Sequence, residues 1–168
     1  MPNTRFSPIT PLSDAPVEGA GGVAPWAATW QVLTPHMRGA GGNLGVVMQT
    51  LPAGSVGCPF HWHTREDEVF YVVAGRGILR YGDEVLHLKV GDCISCPAGQ
   101  QVAHQIGNPF DEDLVYLAIG PHDPNEICGY PDTDKINVRC LSKVGRLQTS
   151  SYLEGEPEPP LIFSKKES

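Results

Sequence analysis

A chain of 168 residues is long enough for one domain with a real core and too short for two barrels. Its 12 basic and 19 acidic side chains leave a net charge of -7 and a pI near 5.2, and the longest basic run is Lys165-Lys166, which excludes the clustered basic surface of a nucleic-acid binder. No apolar stretch reaches the length of a membrane span and the N-terminus lacks the pattern of a signal peptide, so the expected location is the cytoplasm, with no membrane partner.

Residues 1–25 carry proline at 2, 8, 11, 16 and 25 and a glycine-rich run at 19–22, so they read as an arm and not as a helix or central strand. A strand follows over 26–33. The glycine-rich stretch 38–45 lies between two strands, which makes it a hairpin turn and not a phosphate cradle, because a cradle needs a helix N-terminus. Strands are expected at 44–51, from 68 to the glycines at 75 and 77, in a hairpin of 77–81 and 84–88 around Gly82-Asp83, and at 113–119. Short strands with turn signals between them and no helical period indicate an antiparallel sandwich or barrel. Beyond Gly120 the chain is rich in turns, with one strand expected at 136–140 and otherwise an extended arm. The division that results is an arm (1–25), a barrel (26–120) and a C-terminal extension (121–168).

Five cysteines, at 58, 93, 96, 128 and 140, do not form a disulfide framework. Cys93 and Cys96 are spaced to face opposite sides of a strand, which argues for core packing and against a redox or metal pair. Cys58, three residues before His61, is placed to line a cavity or to be a buried free thiol.

The chemistry concentrates in two segments. His61 and His63 point the same way on extended backbone. Glu68 lies an odd number of residues further on, so a bend must fall in Thr64-Arg65-Glu66-Asp67 if its carboxylate is to join them. Glu68 is preferred over Glu66 and Asp67, which read as a solvated acidic turn, because it alone begins the alternating apolar run and so has its face fixed inward. The second segment, 91–108, has a glycine turn, a short apolar strand, a Pro-x-Gly turn and a strand bearing His104. His36, His87 and His122 are isolated. Arg76 and Arg80 read as surface residues, and Asn108 as the pin of its strand end.

Taken together these segments resemble the paired motifs of the cupin superfamily. The matching positions are His61, His63, Glu68 and Gly75 in the first, then Gly91, Pro97, Gly99, His104 and Asn108 in the second. Ser55 stands where the first motif opens on glycine, and four residues separate Gly99 from His104 where the family has two. The resemblance implies an all-β, antiparallel jelly-roll barrel and a metal site of His61, His63, Glu68 and His104. Such a nitrogen and oxygen set suits a divalent Fe, Mn, Ni, Cu or Zn ion. It further implies a small-molecule ligand or substrate, a homodimer, and an oxidoreductase of dioxygenase type. The alternatives are a metal-dependent isomerase or a non-catalytic binding protein.

Overall fold

The computed structural model describes residues 8–20, 25–37 and 42–164. Part of the N-terminal arm and half of the turn expected at 38–45 lie outside them. In chain order the strands are β1 (Glu18–Ala20), β2 (Ala28–Val32), β3 (Gly45–Leu51), β4 (Ser55–Val56), β5 (Trp62–His63), β6 (Glu68–Ala74), β7 (Arg76–Tyr81), β8 (Glu84–Lys89), β9 (Cys93–Cys96), β10 (His104–Asn108), β11 (Leu114–Gly120), β12 (Ile127–Tyr130), β13 (Lys135–Val138) and β14 (Lys143–Gly145). Among the described residues the only helical pieces are 3-10 turns of three or four residues. The expected all-β class holds.

The strands form three sheets, ordered β1-β2-β3-β11-β6-β9, β4-β10-β7-β8 and β14-β13-β12-β5, and every pairing between named strands is antiparallel. The first two share one core. Leu51, Val72, Leu114 and Tyr116 come from the larger sheet and meet Leu79, Leu88 and Ile106 from the smaller. Leu51 and Leu114 are fully buried, each contributing roughly 1.5–3 kcal/mol by leaving water.

Period-two alternation explains β6. Phe70 and Val72 are buried while Tyr71 and Val73 are exposed, so Glu68, on the same face as Phe70, is turned inward. The strand ends at Gly75, where φ is +74° and an added Cβ would run into the Asp113 carbonyl. Gly77 is not part of that turn. It lies inside β7, where Leu114 and the Gly107 carbonyl leave no room for a side chain. Asn108 pins its strand end as expected, donating from Nδ2 to the carbonyls of Leu51 (2.9 Å) and Glu112 (2.7 Å).

The segment after Gly120 departs from expectation. Where one strand and an extended arm are predicted, β12, β13 and β14 form a meander, and β12 pairs with β5 through Cys128 opposite His63 and Gly129 opposite Trp62. Gly129 is required there, because any Cβ would overlap the Trp62 indole.

Candidate metal centre

Local backbone delivers His61 and His63. They flank Trp62 on extended chain, so the two imidazoles point to one side and the indole to the other, against Gly129. The bend between His63 and Glu68 falls at Thr64 and Arg65, as the odd spacing demands. What fixes it is a residue from outside the motif. Glu126, fully buried, accepts hydrogen bonds from Thr64 N (2.6 Å), Thr64 Oγ1 (2.9 Å) and Arg65 N (2.9 Å).

His104 arrives from β10. It exchanges backbone hydrogen bonds with His61, His104 N to His61 O at 2.8 Å and His61 N to His104 O at 3.1 Å. The loop before it is tied to the first segment as well, since Gly99 N donates to His63 O (2.9 Å) and Ala98 N to Asp67 Oδ1 (2.9 Å). The longer spacing between Gly99 and His104 therefore still returns the third imidazole to the other two.

The four predicted residues converge. One ligand atom from each of His61, His63, Glu68 and His104 lies within 4.8 Å of the others. Oε2 of Glu68 stands 2.8 Å from His104 Nε2, 3.2 Å from His63 Nε2 and 3.9 Å from His61 Nε2. Asp67 is engaged with the loop backbone and Glu66 with Arg139, so neither competes for the position of Glu68. His36, His87 and His122 lie outside the cluster.

The outer nitrogens are oriented. His61 Nδ1 lies 2.8 Å from the Pro59 carbonyl, which makes Nδ1 the protonated nitrogen and leaves the Nε2 lone pair facing inward. His63 Nδ1 is 3.5 Å from Cys128 Sγ and 3.7 Å from both Glu66 and Glu126. Its Nε2 is buried and off the line a hydrogen bond to Glu68 needs, and among the described residues it is the buried side-chain nitrogen or oxygen without a hydrogen-bond partner. A buried polar nitrogen in that state is costly, and a cation satisfies it. The donor set fits a divalent ion without thiolate ligands.

Electrostatics follow from crowding. Burial and the neighbouring His104 press the pKa of His61 down to about 4. Burial alone would lower His63 too, but Cys128 on one nitrogen and Glu68 beside the other outweigh it and hold it up to about 10. Burial works to raise Glu68, yet His104 and His63 keep it well below the usual carboxylate range. Cys58, 3.8 Å from His61 Nδ1, is pushed up to about 12 by burial and by Glu68, so it is a neutral thiol at neutral pH and not a nucleophile.

The cluster opens onto a cavity of about 210 Å³ lined by Gln49, Cys58, Phe70, Ile106, Tyr116 and Ala118 as well as by three of the four clustered side chains. Phe70 and Tyr116 pack edge to face beside it, so two of the aromatic residues available from the sequence are both core and cavity wall. Arg80 and Arg76 lie elsewhere. Arg80 sits over Phe60 (3.6 Å to the ring centre) and forks onto Asp132 at 2.7 and 3.0 Å, and Arg76 pairs with Asp111 and Glu112.

Sequence reasoning missed Glu126, Cys128 and Tyr130, whose ring stacks at 6.1 Å on His61, and read Glu66 as solvated. Glu66 is buried, forks onto Arg139 and accepts from Asp123 N at 2.6 Å. The available signal was the short run Ile127-Cys-Gly-Tyr130, concealed between turn-rich stretches.

Residues 47–120 match the family profile described as "Cupin domain". The oxalate-binding protein of Thermotoga maritima is 29% identical over 115 residues, 68% of this chain and 89% of that one. A sugar phosphate isomerase from a cupin superfamily of Silicibacter pomeroyi superposes with a TM-score of 0.67 at 26% identity, covering 77% of this chain and 85% of its own. A predicted oxalate decarboxylase from Thermotoga maritima superposes at 0.59 with 22% identity, over 67% and 97% of the two chains, a likeness of fold. With the paired motifs, their convergence in space and these relatives, residues 47–120 of the chain are a cupin domain.

Proposed function

We propose that this is a metal-dependent cupin in which His61, His63, Glu68 and His104 hold one divalent ion on the inner wall of a jelly-roll barrel, and that its ligand is a small carboxylic acid chelating that ion through two oxygens. The observation that carries the reading is the buried, unpartnered Nε2 of His63 within a cluster whose other donor atoms already face it. When bound, a six-coordinate ion supplies a Lewis acid with two positions left for ligand oxygens.

The cavity selects among ligand classes. A volume near 210 Å³ equals the room of about seven waters. That admits a dicarboxylate or a hydroxy or keto acid. Its polar lining besides the cluster is neutral: the Gln49 amide, the Cys58 thiol, and the Tyr116 phenol, whose pKa is raised by burial, then by Cys58 and Glu68. Among the described residues no lysine or arginine lines it, so the ion itself answers the ligand's charge. A sugar phosphate is larger and calls for cationic donors. The relative that binds oxalate is therefore the better guide to this pocket than the one that isomerises sugar phosphates.

None of the three relatives named above is called a dioxygenase, and that chemistry rests on the ligand set alone. Oxygen-dependent turnover is a second outcome allowed by the same open positions.

The test begins with elemental analysis of purified protein and of the single variants His61→Ala, His63→Ala, Glu68→Gln and His104→Ala. About one ion per chain is expected, falling below about a tenth in each variant. Calorimetry with oxalate, malonate, pyruvate and a hexose phosphate then follows on the metal-loaded form. Binding of a small acid that disappears on metal removal supports the proposal. Metal retained by the variants, or tight binding of the hexose phosphate alone, overturns it. Oxygen uptake with any bound acid adds the oxidative step.

A further inference from the structure

The inner face of the large sheet continues past the metal centre. Residues directly opposite one another on antiparallel strands share a face. Two such rows run outward across β11, β3 and β2. In one, Tyr116 stands opposite Gln49 and Gln49 opposite Trp30; in the next, Ala118 stands opposite Val47 and Val47 opposite Val32. Their inner ends are fixed by β6, where Val72 faces Tyr116 and Phe70 faces Ala118, and both of those β6 side chains are buried. Trp30 and Val32 therefore lie on the same side of the sheet as the walls of the metal cavity.

Along these rows lies a second hollow of about 300 Å³, lined by Trp30, Val32, Val47, Gln49 and Ala118. Gln49 and Ala118 also line the metal cavity, so the two spaces adjoin along a shared wall. Ala118 is the small residue of its row, set between Val47 and Phe70, and it leaves the gap through which one space reaches the other.

The two spaces differ in chemistry. The inner one carries the nitrogen and oxygen donors, whereas the outer one is apolar apart from the Gln49 amide, and among the described residues no charged side chain lines it. Trp30 stands at the outer end, on β2, where its Nε1 donates to Glu18 Oε2 at 3.0 Å and so holds the indole in place. From β11 to β2 is two strand spacings, about 10 Å, more than a two-carbon acid can span. Such an acid would leave the outer wall wet, and an apolar substituent would displace that water.

We infer, resting on the metal site proposed above, that the ligand is an α-keto or α-hydroxy acid with a branched or aromatic apolar side chain. Its carboxylate end lies at the cluster of His61, His63, Glu68 and His104, and its side chain passes Ala118 onto Trp30, Val32 and Val47. Gln49 marks the junction where the polar end gives way to the apolar one.

Calorimetry on the metal-loaded full chain with oxalate, pyruvate, the α-keto acid of leucine and phenylpyruvate tests this. One or both of the larger acids should bind at least about tenfold more tightly than pyruvate and oxalate, the gain expected from burying a few methylenes. Trp30→Ala should erase most of that advantage, and the isosteric Val47→Thr, which sets a hydroxyl in the apolar wall, should cut it severalfold. Metal content equal to wild type in both variants shows that fold and ion are intact. Larger acids that bind no more tightly than pyruvate, or an advantage that survives in both variants, overturn the inference and leave the chelated small acid standing. Failure of every acid to bind the metal-loaded chain overturns the reading of the site, and this inference with it.

Discussion

The imidazole of His63 is contacted at both nitrogens, by Glu68 on the cavity side and by Cys128, Glu66 and Glu126 behind. Both sides favour the protonated ring. In the metal-free protein His63 lies above its ordinary value, so its stabilising contribution is complete below about pH 6.5 and is lost as pH rises towards about 10. Glu68 lies below its ordinary value, so its contribution is complete above about pH 4.5 and is lost as pH falls. Metal binding needs His63 without its proton, whereas His61, pressed down to about 4, is already neutral. The rise in Tm that Ni(II) gives over metal-free protein should therefore grow from about pH 6 to about pH 8, and an increment independent of pH would remove His63 from the set of ligands that must deprotonate. Behind the ring, Cys128→Ala takes away the sulfur contact on Nδ1. Metal affinity should fall about 10–100-fold by chelator competition, as it does when such outer contacts are lost, with the ion still bound in stoichiometric amount at high concentration.

At the scale of elements, β12 does two jobs. It pairs with β5 beside the metal ligands, and the residue before it, Glu126, holds the bend that turns Glu68 inward. The Glu66 and Arg139 pair ties the same bend to the end of β13, with Arg139 Nη2 2.8 Å from Glu66 Oε2. Glu126→Gln keeps one acceptor oxygen but sets an amide N–H against the backbone N–H of Thr64 or Arg65. The expected loss is about 1–3 kcal/mol of stability by urea denaturation, the cost of a buried donor left unpaired, together with weaker metal binding. A variant as stable as wild type, with unchanged affinity, would mean that the bend holds itself.

Across the whole molecule, a site built from three distant stretches of chain cannot exist in the unfolded state, so metal binding and folding are linked. Metal at about 100 times its Kd should add about 2.7 kcal/mol. For a chain of this size that raises Tm by roughly 5–10 °C, an increase reversed by chelator and absent in His104→Ala. A scan in which metal moves the variant as far as the wild type would place the ion elsewhere.

Local order was legible in the residues themselves. Alternation in β6 fixed which face Glu68 takes, the odd interval after His63 required a bend within Thr64-Arg65-Glu66-Asp67, and the glycine at 75 marked the end of the strand. The paired motifs carried the family and the four converging side chains. What the chain could not announce was pairing between stretches about sixty residues apart. Glu66 reads as solvated because its partner, Arg139, is remote in sequence, and Ile127-Cys-Gly-Tyr130 reads as loop because four residues carry too little periodicity to mark a strand. Only tertiary structure decided those, since a side chain's burial and the partner that neutralises it depend on which distant backbone packs against it.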